Sequence, residues 1–345
     1  MSYPSPSHNP VLIGHDEALR QVQAVYDSGR MHHAWLVTGV EGIGKATLAY
    51  HIAHYVLSGG VNKLGRLDMQ HPAARLVAEE AHPDLFVLRR PTDEKTGELK
   101  NTIAVEDARK LAPFMRLTAS HGGWRVALID EAQALNRHSQ NAILKVIEEP
   151  PQRCLIVVTV TTPGVLLPTI RSRCRVLPLQ PLDDAAMRTV LARCGAEAGG
   201  EAETDALLRH SGGSVGFALK VLQTECLPLY RDLLALLQNL PALDMARLHQ
   251  LADKVGRKAD ADSFAVLTQL LMATLRRAVH AQATGGGLLA EEAAFAGRLA
   301  QGRQLDRTLQ LWDKVGQIFA MADYANLDRK LAFINAITEI RRAAA

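Results

Sequence analysis

The stretch "HAWLVTGVEGIGKATLAY", His33 to Tyr50, does most to limit what this chain can become. A short apolar run ends in Gly39, which suits a buried strand. A glycine-rich turn follows. From Lys45 to Leu57 the apolar residues then recur at helical spacing. Strand, tight turn and helix in that order build a parallel α/β unit. The turn nearly spells G-x-x-x-x-G-K-[ST], with Gly39, Gly44 and Lys45 in place. Such a loop converges backbone N–H groups at a helix N-terminus, where negative charge is favoured. Gly42 and Gly44 let the backbone approach a phosphate, and Lys45 would reach the β- and γ-phosphates. Ala46 stands where a hydroxyl would hold magnesium, and Thr47 comes one residue later. The same residues also fit a plain strand-to-helix turn with Lys45 as a surface cation.

The rest of the first half repeats the alternation. Strands are expected at Pro83–Pro91, Trp124–Ala132, Cys154–Thr161 and Cys174–Leu179. Helices are expected at Asp16–Gly29, Ala104–Leu117 and Ser139–Pro151, the last stopped by paired prolines. Residues 58–80 read as irregular, and "TDEKTGELKN" as a charged surface turn. Apolar strands alternating with helices imply a parallel sheet covered on both faces. "VALIDEA" places Asp130 and Glu131 at the C-terminal end of such a strand, where open α/β sheets bind ligands. Asp130 would sit near a magnesium ion, and Glu131 could orient an attacking water. An ordinary acidic turn is the competing explanation, but the loop and the acids have the order of one nucleotide-hydrolysing core.

After about residue 180 the strand patterns stop. The expected plan is an α/β domain over 1–178, a small helical lid over 179–224 and an all-α domain over 225–345. No fixed-period repeat is visible.

Composition narrows the class. The 345 residues suffice for two or three domains. A net charge of +3 does not by itself imply nucleic-acid binding. Cys154, Cys174, Cys194 and Cys226 are isolated, which argues against a zinc site and a disulfide framework and fits a reducing compartment. The polar, Pro-rich start does not read as a signal peptide, and no apolar run approaches the ~18 residues of a membrane span. A cytoplasmic protein with no membrane association is expected. His32, His33, His51 and His54 match no strong metal-ligand spacing.

"TIRSRC", Thr169 to Cys174, is a dense arginine cluster at the end of the α/β domain. A solvated face is the ordinary explanation. An arginine finger is the alternative, because guanidinium is always charged and pairs with phosphate oxygens in two places.

Together these stretches resemble the clamp-loader subunits of the AAA+ family, most closely the delta-prime group of bacterial DNA polymerase III. The resemblance rests on "HHAWLVTGVEGIGKATLA", "HPDLFVL", "GGWRVALIDEAQALNRHSQNAILKVIEEPP", "LLPTIRSRC" and "SGGSVGFAL", in order across residues 32 to 219. The Ser172, Arg173, Cys174 triplet is its most specific part. It implies an AAA+ phosphate-loop domain, a helical lid and a C-terminal collar that oligomerises. It implies that Leu12–His15 lie by an adenine, that Thr161 is the sensor-1 residue, and that Arg173 acts in trans on an adjacent ATPase subunit. It implies gamma/tau and delta subunits as partners, with the sliding clamp and primed DNA reached through the complex.

The departures matter equally. Ala46 removes the magnesium hydroxyl, and Gly216 stands where ATPase members carry a lid arginine. Residues 58–82 lack the cysteines of the zinc module found in many relatives, so no zinc is expected. A mainly structural subunit with weak or absent ATP hydrolysis is therefore expected, with residual binding of ATP and Mg2+ left open. The rival is an ATP-hydrolysing AAA+ motor, either gamma/tau-like or a helicase loader. A small-molecule kinase ranks last, since it has no need of the "SRC" triplet.

Overall fold

The computed structural model describes residues 4–93, 97, 99–120, 122–196, 199–256, 261–300, 305–325 and 327–344. The chain forms two compact units, one of residues 1–195 with 213–216, the other of 196–212 with 217–345.

The first unit contains α1 (Asp16–Asp27), β1 (Ala34–Thr38), α2 (Lys45–Leu57), α3 (Pro72–Ala78), β2 (Leu85–Leu88), α4 (Val105–Arg109), α5 (Leu111–Arg116) and β3 (Arg125–Ile129). It continues with α6 (Arg137–Glu148), β4 (Cys154–Val160), α7 (Pro168–Arg171), β5 (Arg175–Pro178) and α8 (Asp184–Arg193). The five strands are parallel in the order β2-β3-β4-β1-β5. Every residue of β1, β3 and β4 is buried, as continuous apolar runs in a two-faced sheet should be. Alternate residues feed two cores. Trp35, Val37, Val126, Leu128, Leu155 and Val157 pack with α1 and α2 on one face. Ala34, Leu36, Ala127, Ile129, Ile156 and Val158 meet α4, α5 and α6 on the other.

Three readings of local structure are corrected. The segment 58–80, expected to be irregular, contains α3, started by Pro72 at a position where a missing N–H costs nothing. The single helix expected over 104–117 is two, α4 and α5, parted at Lys110. Pro113 explains the break: it has no N–H for the Arg109 carbonyl, and its ring crowds that oxygen. Helix α6 starts at Arg137, two residues earlier than expected, because Asn136 caps it by accepting from the Ser139 N–H. The charged turn over 92–101 falls partly outside the described residues; Thr92 and Leu99 form an antiparallel bridge there.

The second unit is helical: α9 (Glu201–Ser211), α10 (Val215–Gln223, whose first two residues belong to the first unit), α11 (Cys226–Leu237), α12 (Met245–Val255), α13 (Ala261–Thr284), α14 (Ala293–Ala300), α15 (Leu305–Tyr324) and α16 (Arg329–Ala344). Helix α13 packs on α11, α14 and α15, and α16 packs on α12 and α15. The fully buried Glu292 carboxylate accepts from Tyr230 Oη at 2.7 Å and Thr274 Oγ1 at 3.0 Å, and pairs with Arg277. A buried charge is tolerable only when satisfied in this way. Among the described residues no helix is long and apolar enough to cross a membrane.

Candidate functional site

The phosphate-type loop leaves the C-terminal end of β1, between β4 and β5. Gly39, Gly42 and Gly44 take φ values of +151°, +73° and +108°, which side chains at these positions would resist. His15 supports the turn from behind: its Nε2 lies 2.8 Å from the Ile43 carbonyl oxygen, so the ring donates through Nε2–H. Burial lowers the His15 pKa, consistent with a neutral ring. Leu12 also approaches Gly44, so the segment 12–15 lies against the loop.

Lys45 is buried at the start of α2. Its ammonium donates to the carbonyls of Gly39 at 2.9 Å and Val40 at 2.8 Å, and to Thr161 Oγ1 at 3.2 Å. Those are all three of its donors. Burial lowers its pKa, with the Asp130 carboxylate the largest opposing influence. Ala46 and Thr47 are half-buried.

The carbonyls of the same loop are taken up by residues 214–216. Ser214 Oγ donates to the Glu41 oxygen at 2.7 Å, and the Gly216 N–H donates to the Gly42 oxygen at 2.8 Å. A Cβ on Gly216 would lie 2.6 Å from the Gly42 Cα, closer than two carbons can come. No larger residue fits at 216 while this contact holds.

Asp130 and Glu131 follow β3. Thr159 of β4 ties them together: its hydroxyl donates to Asp130 Oδ1 at 2.6 Å and accepts from the Glu131 N–H at 2.9 Å. Burial raises the Asp130 pKa. Glu131 adopts φ +53°, and its carboxylate accepts from Arg90 Nε at 2.6 Å. Both acids line a cleft of about 720 Å³ together with Arg89, Arg90, Asp107 and Lys110.

Arg173 lies elsewhere. It lies two residues before the start of β5, so it sits at the end of the parallel sheet opposite the phosphate-type loop. Its Nη1 donates to the Thr169 carbonyl at 3.1 Å, and its Nη2 is 3.2 Å from Glu148 Oε1 at the end of α6. The structure therefore gathers Gly39, Gly42, Gly44, Lys45 and Thr161 in one cluster. It joins Asp130 and Glu131 through Thr159, and sets Arg173 apart from all of these.

Residues 14–183 match the family described as DNA polymerase III, delta subunit. Over these residues, just under half of the chain, it is similar to subunits of DNA polymerase III. The chain is 39% identical over 183 residues to DNA polymerase III subunit delta' of Pseudomonas aeruginosa, covering 53% of each protein. It is 33% identical over 204 residues to the Escherichia coli subunit delta', covering 58% of this chain and 57% of that one. It is 29% identical over 217 residues to DNA polymerase III subunit gamma of Buchnera aphidicola, covering 61% and 56%. The matched region spans a little over half the length of these relatives.

Sequence reasoning missed Arg90, Thr159 and Ser214. Each acts through a neighbour distant in the chain; only Ser214 falls in one of the quoted stretches, "SGGSVGFAL", which assigns it no role. Among the described residues no cluster of three or more His, Cys, Asp or Glu could hold a metal ion. His51 and His54 instead face the carbonyls of Asn9 and Ser7.

Proposed function

We propose that this chain is a non-motor, delta-prime-like subunit of the DNA polymerase III clamp loader. It would help to load the sliding clamp onto primed DNA in the cytoplasm, with gamma/tau and delta subunits as its neighbours. Residues 1–178 would form the AAA+ domain, 179–224 the lid and 225–345 the oligomerising collar. Arg173 would reach the nucleotide of an adjacent ATPase subunit.

The observation that carries this reading is the position of Arg173. It is 42% exposed and lies at the end of the sheet away from its own Lys45 and Asp130. An arginine there cannot serve its own phosphate-type loop and is available to a neighbour.

The residues of this chain's own loop do not fit a magnesium nucleotide as they stand. Ala46 offers no oxygen to a metal, Lys45 has no donor to spare, and Gly216 is locked onto Gly42. Binding of ATP would require Lys45 to exchange its acceptors and residues 214–216 to part from the loop. We therefore assign weak ATP binding and slow or absent turnover.

The test is a clamp loader reconstituted with Arg173→Ala. Normal assembly and thermal stability with a fall in ATP-dependent clamp loading support the reading. A trans-acting arginine can be worth about 10³-fold in rate in other NTPases, with a smaller effect where one site of several is lost. Full loading activity removes the role.

A further inference from the structure

We propose that Glu148 is a positioning residue for Arg173, holding the guanidinium in place for an anion on a neighbouring subunit. The proposal rests on the trans-acting reading of Arg173 above and adds a residue to it.

Glu148 is the last residue of α6. A carboxylate there faces the negative end of the helix dipole and is unfavourable without a compensating cation. Arg173 supplies that cation, with Nη2 at 3.2 Å from Oε1. The same guanidinium donates through Nη1 to the Thr169 carbonyl in the preceding turn. One contact comes from α6 and the other from α7, so the head group is fixed from two elements rather than by its own flexible stem.

Donor arithmetic shows what this leaves. A guanidinium carries five N–H donors. Thr169 takes one N–H of Nη1, and Glu148 stands beside Nη2 as an ion pair that makes no hydrogen bond. The Nε–H, one N–H on Nη1 and both on Nη2 remain, enough to meet two phosphate oxygens while Thr169 keeps its bond. The pair is partly open to solvent, at 42% for Arg173 and 37% for Glu148, so an incoming anion can reach it. Arginine loses substantial rotamer freedom when it docks, and a guanidinium already held loses less.

The experiment uses complete clamp loaders reconstituted with wild-type chain, Glu148→Ala, Glu148→Gln, Arg173→Ala and the Glu148→Ala/Arg173→Ala pair. Loading rate is measured against ATP concentration, with assembly checked by gel filtration. Glu148→Ala is expected to lower the maximal rate about twofold to fivefold, the range an exposed ion pair supports, with half-saturating ATP unchanged. Glu148→Gln keeps the size and a polar oxygen beside Arg173 but not the charge, and should fall in between; it also stands in should the alanine variant assemble poorly. In the Arg173→Ala background Glu148→Ala should add nothing. A wild-type rate in both Glu148 variants overturns the positioning role while leaving Arg173 intact. An equal loss with and without Arg173 also overturns it, since that marks a purely structural effect. Full activity of Arg173→Ala alone sinks the trans-acting reading and this proposal with it.

Discussion

The backbone N–H of Gly216 donates to the carbonyl oxygen of Gly42 across 2.8 Å, and so fastens the start of α10 to the phosphate-type loop. Glycine is required on this side because a Cβ would stand 2.6 Å from the Gly42 Cα. Gly216→Ala should therefore cost about 1–3 kcal/mol, the scale of an overpacked site, and should lower the urea midpoint. Gly216→Arg, which restores the lid arginine of ATPase relatives, should cost at least as much. Wild-type stability in both variants would show that the contact opens readily.

The same contacts bear on nucleotide affinity. If the dissociation constant for ATP exceeds 1 mM, then 1 mM Mg-ATP stabilises the chain by less than about 0.4 kcal/mol. No measurable thermal shift is expected at that concentration. Ala46→Ser alone should leave steady-state turnover of the isolated chain below ~1 per second, the lower end of common enzyme rates. It supplies a hydroxyl but frees neither Lys45 nor Gly42. A shift of several degrees with the wild-type chain would refute this account of the loop.

The strand–turn–helix of Ala34–Leu57 was legible because its signals are local: an apolar run, glycines at fixed spacing and a helical period. The predicted helix Lys45–Leu57 and the observed one coincide. Thr159 was not legible, because its role depends on register. Ile129 pairs with Val158, which brings Asp130 beside Thr159, and no sequence pattern states that register. Arg90 depends likewise on β2 lying next to β3. Position 216 was noticed as a departure, but its steric reason lies in Gly42, far away in the chain. Helix α3 was overlooked because seven residues are too few to display a period.

Thr159 offers a direct check of the acidic pair. It is fully buried and serves as donor to Asp130 and acceptor for the Glu131 N–H. Thr159→Val keeps the shape and removes both bonds, leaving Asp130 Oδ1 and the Glu131 N–H only the 3.1 Å bond they share. A loss of about 1–3 kcal/mol in denaturant unfolding is expected. A loss below about 0.5 kcal/mol would mean that water replaces the hydroxyl there.

The proposed collar can be tested with fragments cut where the chain itself divides. His210 in α9 approaches Glu291 at 2.7 Å, so 196–212 belongs with the C-terminal helices. A fragment of 196–345 should co-purify with partner subunits, and 1–195 should not. The opposite result would move the oligomerising surface to the α/β half.

The N-terminal strap should come loose in acid. Residues 7–12 are held along α2 and the segment after it: His51 Nε2 meets the Asn9 oxygen at 2.9 Å, and His54 Nε2 meets the Ser7 oxygen at 3.3 Å. Leu12 and Leu67 add backbone bonds to Gly65 and Pro10. A carbonyl only accepts, so both rings donate through Nε2–H, and the Nδ1 atoms are buried without a partner. Protonation would bury charge, and burial accordingly lowers both pKa values from 6.5 to about 4. The unfolded chain takes up these protons first as pH falls. The stabilisation is complete above about pH 6.5 and is lost progressively from there down to about pH 4. At pH 5 the loss is on the order of 1–2 kcal/mol for each ring. Melting temperature should fall between pH 7.5 and pH 5, and backbone amides of residues 7–12 should exchange faster once the intrinsic pH effect is removed. His51→Gln, which cannot titrate, should flatten part of that slope. An unchanged slope in this variant, or equal protection of residues 7–12 at both pH values, would break the link between these histidines and the strap.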